Sequence, residues 1–195
     1  MGNVLINIDF NRTLSLFSHY SDRSLAELQQ KFSMDDAFCL HEKGLLSDKD
    51  FALHINQSLK INLSFEEFLE SWCALLIDIK PQIIDLLHSL KMNNHRLAML
   101  SNTNHAHTLY WKKAFSELLP FFDKIFLSHE MGMRKPDAEI YLKVLEVMQH
   151  PKENALFFDD NKNNIDAAWH IGLPSLHIER HEQLTKYFKA KGLLP

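Results

Sequence analysis

The chain has only two cysteines, Cys39 and Cys73, too few for a disulfide framework and in keeping with a reducing cytosol. It also lacks excess basic charge. With a formal net charge of −4, it offers no electropositive surface for nucleic acid. No apolar run reaches the roughly 18 residues that span a bilayer. The N-terminus has no basic segment and cleavage site of a secretory signal, and Ile6 stands where a myristoylation motif needs Ser or Thr. Repeats, low-complexity tracts and flexible linkers are missing as well. What is present is an ordinary cytosolic globular composition, 46% hydrophobic and 24% charged. Its 195 residues suffice for one α/β domain with a modest insertion.

The second half alternates short apolar runs with helical patterns. Residues 96–100, 124–127, 155–158 and 174–178 have strand length and composition, and 4–8 is one more strand candidate. Ile140, Tyr141, Val144, Leu145 and Met148 recur at helical spacing behind Pro136-Asp137, which reads as a helix start. Apolar strands separated by helices predict a Rossmann-like parallel sheet covered on both faces. Residues 13–81 differ, with no convincing strand and several short helices. One starts at the capping box Ser64-Phe65-Glu66-Glu67, and another is expected near Ser47 to Asp50. The expected organisation is an α/β core from 1–12 and 82–195, with a small helical cap, 13–81, inserted after the first strand.

Ligands of such sheets bind beyond the carboxyl ends of the strands. Three candidate strands are followed there by suggestive residues. Ser101-Asn102 can donate a hydroxyl and backbone amides to phosphate oxygens, although an isolated Ser-Asn more often caps a helix. Lys135, before Pro136, can neutralise phosphate and a nearby carboxylate, although a lone lysine is usually solvated. Asp159-Asp160, with Asn164 a turn later, form an adjacent carboxylate pair that is costly at a strand end unless paired or bound to a hard cation such as magnesium. Alone, that pair could equally cap a helix.

The ordered set resembles the haloacid-dehalogenase superfamily. Leu100-Ser101-Asn102 is similar to its second motif, Lys135 to its third, and Phe158-Asp159-Asp160 with Asn164 to its fourth. The wording is closest to the sugar phosphatases that resemble bacterial α-D-glucose-1-phosphatase, over nearly the whole chain. This resemblance implies a magnesium-dependent phosphatase acting on a small phosphomonoester, such as a sugar phosphate, through an aspartyl-phosphate. Asp160, Asp159, Asn164 and the Gly2 carbonyl would hold Mg2+. Ser101 and the Asn102 amide would hold phosphate, and Lys135 would offset the charge around the nucleophile.

The first motif departs from this pattern. Asp9 in Asp9-Phe10-Asn11 could be the nucleophile, but Asn11 would then replace the second acid. Alternatively, Met1-Gly2-Asn3-Val4 is the tail of an Asp-x-Gly-Asn-Val motif whose aspartate precedes Met1. The second reading is preferred because residues 8–12 also match the stretch downstream of that motif. Two other functions compete: a non-catalytic binding protein of the same fold, and a metal-free dehalogenase, which the adjacent carboxylates disfavour. Transfer of phosphate between sugars needs an acid/base that neither Asn11 nor Gly2 supplies. His41-Glu42 could face a sugar or pack the cap. His105 and His107 could reach a substrate but are expected on a helix surface, Trp72 and Trp111 are expected in the core rather than as stacking platforms for a ligand, and neither thiol is expected to act as a nucleophile.

Overall fold

A computed structural model describes residues 1–193. The strands form three two-stranded ladders. β1 (Ile6–Ile8) pairs antiparallel with β2 (Leu76–Ile79), β3 (Ala98–Ser101) pairs parallel with β4 (Lys124–Leu127), and β5 (Phe157–Asp159) pairs parallel with β6 (Ser175–His177). The expected strands at 96–100, 124–127, 155–158 and 174–178 are all present, within a residue or two at their ends. β2 corrects the reading of 13–81 as strand-free. Leu76, Ile77 and Ile79 suit a strand, but Asp78 interrupts the run and it follows directly on the helical pattern of Phe65–Cys73, so the strand is recognised only by its pairing with β1. The 4–8 candidate shortens to β1 and lies in this long-range antiparallel pair, outside the parallel ladders.

Five helices lie between β1 and β2: α1 (Phe10–His19), α2 (Leu25–Lys31), α3 (Asp36–Glu42), α4 (Asp48–Leu59) and α5 (Phe65–Cys73). Local chemistry explains their starts. Ser64 accepts from the Glu67 N–H at 3.2 Å, while the Glu67 carboxylate accepts from the Ser64 N–H at 2.7 Å, completing a capping box. Ser47 caps α4 in the expected place, accepting from the Asp50 N–H. On α5, Phe68 and Trp72 stand one turn apart, both fully buried, and each contributes roughly 3 kcal/mol of burial. They join Phe17, Leu28 and Phe51 in one aromatic-rich cluster.

A second cluster unites β1, β2 and α6 (Ile83–Met92) with Met99 of β3, Leu127 of β4 and Trp111 of α7 (His105–Ala114). A third surrounds Tyr141 of α9 (Ala138–Met148) and Ala168 of α10 (Lys162–His170). Pro136 does not occupy the first turn of α9. It precedes the N-cap Asp137, and its peptide bond with Lys135 is cis. Short α8 (Ser128–Met131) follows β4, and α11 (His181–Ala190) follows β6. No helix among the described residues is long and apolar enough to cross a membrane.

Candidate active site

The carboxyl ends of β3 and β5 meet at one lysine. Lys135 Nζ lies 2.6 Å from Asp159 Oδ2 and donates to the Leu100 carbonyl at 3.3 Å. Lys135 and Asp159 are 4% and 3% exposed, so neither charge can rely on water. The other Asp159 oxygen accepts from Asn164 Nδ2 at 2.8 Å and from the Asn161 N–H at 2.9 Å. Burial pushes the Asp159 carboxyl upward, but the Lys135 charge and these hydrogen bonds outweigh it and hold the group below the usual range. Asp159 is therefore a fully partnered anion.

Its neighbour is different. Asp160 is partly exposed, and its Oδ2 accepts from Asn3 Nδ2 at 2.9 Å. Asn164, buried on the first turn of α10, presents its amide to Asp159 as a donor. Gly2 lies in the same neighbourhood through Asn3, and its carbonyl accepts from the Val4 N–H at 2.7 Å. No cluster of three or more His, Cys, Asp or Glu side chains suited to a metal occurs among the described residues. The donors on offer are oxygens: the Asp160 carboxylate, then Asp159, then backbone carbonyls. Such a set fits magnesium, which takes one or two carboxylates and keeps several waters.

Ser101, at the end of β3, is buried, and its hydroxyl donates to the Asn102 carbonyl at 3.2 Å. Asn102 does something its sequence position did not reveal. Its side-chain oxygen accepts from the Lys135 N–H and its Nδ2 donates to the Lys135 carbonyl, both at 2.8 Å. This two-point bond fixes the main chain that carries the lysine. Only the pairing of two loops distant in sequence creates it, so spacing alone held no signal. Beside it, Ser128 Oγ accepts from the Thr103 N–H and donates to the Thr103 carbonyl, both at 2.9 Å. That bond ties the turns after β3 and β4 together.

The Met1 amine is also buried here. Burial chiefly, and then repulsion by Lys135, lower its pKa to about 5, with Asp159 and Asp160 offsetting part of the effect. Asp9, by contrast, is the N-cap of α1 and accepts from the Asn11 N–H at 2.9 Å. No hydrogen bond among the described residues joins Asp9 to Lys135, Asp159, Asp160 or Ser101.

The remaining candidates sort by burial. Trp72 and Trp111 are core residues, both 0% exposed. Cys73 is buried, which raises its thiol pKa to about 12, and among the described residues its thiol bonds to the Ala106 carbonyl and to no base. His107 is not a surface residue: its ring stacks on Trp72 at 5.2 Å, and Nε2 lies 2.8 Å from the Trp72 carbonyl. His105 is exposed and lies 2.9 Å from Asp48 Oδ2, while buried His41 lies 2.8 Å from Asp48 Oδ1. These three line a cavity of about 740 Å³ beside α7 that does not include Lys135 or Asp159. Glu42 bonds Arg134, next to Lys135.

Residues 17–172 match the family model of haloacid dehalogenase-like hydrolases. The chain belongs to that family. A D-ribitol-5-phosphate phosphatase of Bacteroides thetaiotaomicron is 24% identical over 184 residues, covering 91% of this chain and 88% of that protein. A solved structure of a haloacid dehalogenase family enzyme from the same organism, in complex with magnesium and inorganic phosphate, superposes with a TM-score of 0.77. Its identity is 28%, with 91% of this chain and 90% of that one covered. A phosphorylated carbohydrates phosphatase of Thermotoga maritima is 28% identical over 102 residues, covering 52% of this chain and 47% of that protein.

Proposed function

We propose that this hydrolase cleaves a small phosphomonoester, a phosphorylated sugar or polyol, with magnesium. The observation that carries the proposal is the bond set Lys135–Asp159–Asn164, with Ser101 and Asp160 alongside it at the ends of two parallel ladders. The phosphatase relatives named above support the substrate class. Asp160 would hold the metal, with Asp159 the second carboxylate beside it. Asn164 acts by orienting Asp159, and the Gly2 carbonyl is available as a further oxygen. Bound magnesium would supply positive charge against the phosphate oxygens.

The chain's own groups do the rest. Ser101 and the Asn102 amide would donate to phosphate oxygens, and Lys135 would hold positive charge where the attacking carboxylate and the phosphate crowd together. A carboxylate oxygen bonds to phosphorus as the bond to the substrate oxygen breaks, and that oxygen leaves with the electron pair and takes up a proton. Water then adds to phosphorus and releases phosphate, restoring the carboxylate.

That attacking carboxylate, in this reading, belongs to a residue directly upstream of Met1. Two observations favour this over Asp9. Asp9 already serves as a helix cap. Among the described residues, β3 and β5 each pair on one side only, and Lys135 spans their ends. The free thiols Cys39 and Cys73 fit a cytoplasmic setting.

The test is phosphate release from a panel of sugar and polyol phosphates, with magnesium or with EDTA. It is run on this chain and on one extended through the upstream reading frame. Magnesium-dependent release by the extended form only is the expected result. Release by this chain that Asp9→Asn abolishes would transfer the nucleophile to Asp9. No release from either form would favour a non-catalytic binding protein, the second reading.

A further inference from the structure

Two ion pairs flank the lysine of the site, and both come from consecutive residues at the end of α3. Arg134 Nε donates to Glu42 Oε2 at 2.8 Å, with a second guanidinium nitrogen 2.7 Å from the same oxygen. Lys43 Nζ lies 2.9 Å from Asp137 Oδ2. Arg134 and Asp137 bracket Lys135-Pro136 in sequence, and the partners alternate in sign: Glu42 and Lys43 on one side, Arg134 and Asp137 on the other. Sliding α3 by one residue would place like charges together, so the pattern fixes register as well as attraction. The Glu42–Arg134 pair is mostly shielded, with side-chain exposures of 12% and 22%. Burial raises the Glu42 pKa, and both Arg134 and Lys135 act against that rise, so the carboxylate senses the lysine itself. Asn102 holds the Lys135 main chain at both N and O, leaving the segment 134–137 little freedom to absorb a shift of α3.

We propose that the Glu42–Arg134 and Lys43–Asp137 pairs make docking of α3 and placement of the Lys135 ammonium a single event. Glu42 and Lys43 are then positioning residues for the phosphate centre. When α3 is docked, the segment carrying Lys135 is held from above by the two pairs and from below by Asn102, and Nζ stays on Asp159. When α3 lifts, the main chain keeps only its bonds to Asn102, and the Nζ bonds to Asp159 and the Leu100 carbonyl become open to competition from water. The consequence for the proposed chemistry is that the cation reaches its working position only under a closed cap.

The idea rests on Lys135 as the cation of the site but not on turnover, so its test uses no substrate. The intact chain is pulse-acetylated with acetic anhydride, and labelling of each lysine is followed by mass spectrometry. Lys152, whose Nζ donates to the Ile171 carbonyl, is the control for general loosening. Glu42→Arg should raise the Lys135 labelling rate about tenfold while leaving Lys152 unchanged. The double reversal Glu42→Arg with Arg134→Glu should bring Lys135 back to within about twofold of the wild-type rate. Labelling of Lys135 at the wild-type rate in Glu42→Arg, while amide exchange in α3 accelerates, would overturn the proposal. So would a double reversal that fails to restore protection, or equal increases at Lys135 and Lys152. If Glu42→Arg does not fold, Lys43→Glu with and without Asp137→Lys applies the same criteria to the more exposed pair. A protein that hydrolyses no phosphomonoester yet passes this test would sink the functional reading and leave the clasp standing.

Discussion

Replacing Lys135 by Met keeps most of the side-chain volume and removes one charge from a pair whose side chains are 5% and 4% exposed. At 2.6 Å the attraction is about 6 kcal/mol for an effective dielectric of about 20, and desolvation of the two ions offsets most of it. The net worth of the pair is therefore small, but the orphaned partner is expensive: removing one side of such a pair costs about 3–5 kcal/mol. Two features of the site favour the lower end. Asp159 keeps its bonds from Asn164 and the Asn161 N–H. The Met1 amine, depressed partly by Lys135, regains basicity when the lysine goes. A loss of about 3 kcal/mol at pH 7 should lower the urea midpoint by about 1.5 M, for a slope near 2 kcal/mol/M.

The pH dependence gives a second check on Lys135→Met. In the wild type the folded Asp159 pKa is depressed, so its contribution is present above the unfolded value of about 3.8 and lost as pH falls through the folded value. In Lys135→Met, burial without its cation pushes that pKa up, and the carboxylate destabilises as pH rises through it. The gap between wild type and variant should thus narrow steadily from pH 7 to pH 4 in matched urea titrations. A gap below about 1 kcal/mol at pH 7, or one that does not change with pH, would refute the account of Asp159 as a lysine-dependent anion.

Gly44 has φ of +70°, and a Cβ there would overlap the His129 carbonyl oxygen, so Gly44→Ala should cost about 2–4 kcal/mol in thermal or urea unfolding. An unchanged midpoint would show that the α3–α8 junction can open without loss. Burial chiefly lowers the His107 pKa to about 4, below an unfolded value near 6.5. Its contribution is therefore present above pH 6.5 and lost as pH falls toward 4, by up to about 3 kcal/mol. In His107→Gln the stability profile should be flatter over that window, and an identical slope would count against a buried neutral imidazole. Asn102→Ala removes both bonds to the Lys135 main chain and should cost about 2 kcal/mol, whereas Asn102→Asp keeps the acceptor and loses only the donor. Comparison of their unfolding midpoints should rank Asn102→Ala as the more damaging unless the new buried charge dominates, which lowering the pH would reveal.

Much of the architecture was legible because its signals are local. The capping box at Ser64 and Glu67 and the cap at Ser47 are properties of four consecutive residues. The runs that became β3, β4 and β5 are mostly apolar, as strands of a helix-covered parallel sheet should be, whereas β6 alternates polar and apolar residues and was marked chiefly by its place in the pattern. β2 escaped because Leu76–Ile79 takes its conformation from β1, some 70 residues earlier, and its partly exposed middle residues broke the expected apolar run. His107 was misplaced for a similar reason. A histidine near a helix N-terminus reads as surface, and the approach of Trp72 from α5 is what half-buries it.

The site divides along the same line. Ser101 and Asp159-Asp160 stood out in sequence because each ends a mostly apolar strand with a residue type that is costly or reactive there, whereas Lys135, eight residues beyond β4, stood out only as part of the ordered set. Their division of labour did not. Asp159 and Asp160 are adjacent and chemically identical, yet Lys135 and Asn164 engage one carboxylate, while among the described residues only Asn3 bonds the other. That asymmetry comes from strand geometry: successive side chains of an extended segment point opposite ways, so one carboxylate turns toward the lysine and the other toward the open side. Lys135 thus competes with a cation for Asp159, and Lys135→Met, which frees that carboxylate and removes a nearby positive charge, should tighten magnesium binding even though Lys135 never touches the ion. Were magnesium affinity, read by calorimetry, the same in wild type and Lys135→Met, the two carboxylates would have to be treated as independent.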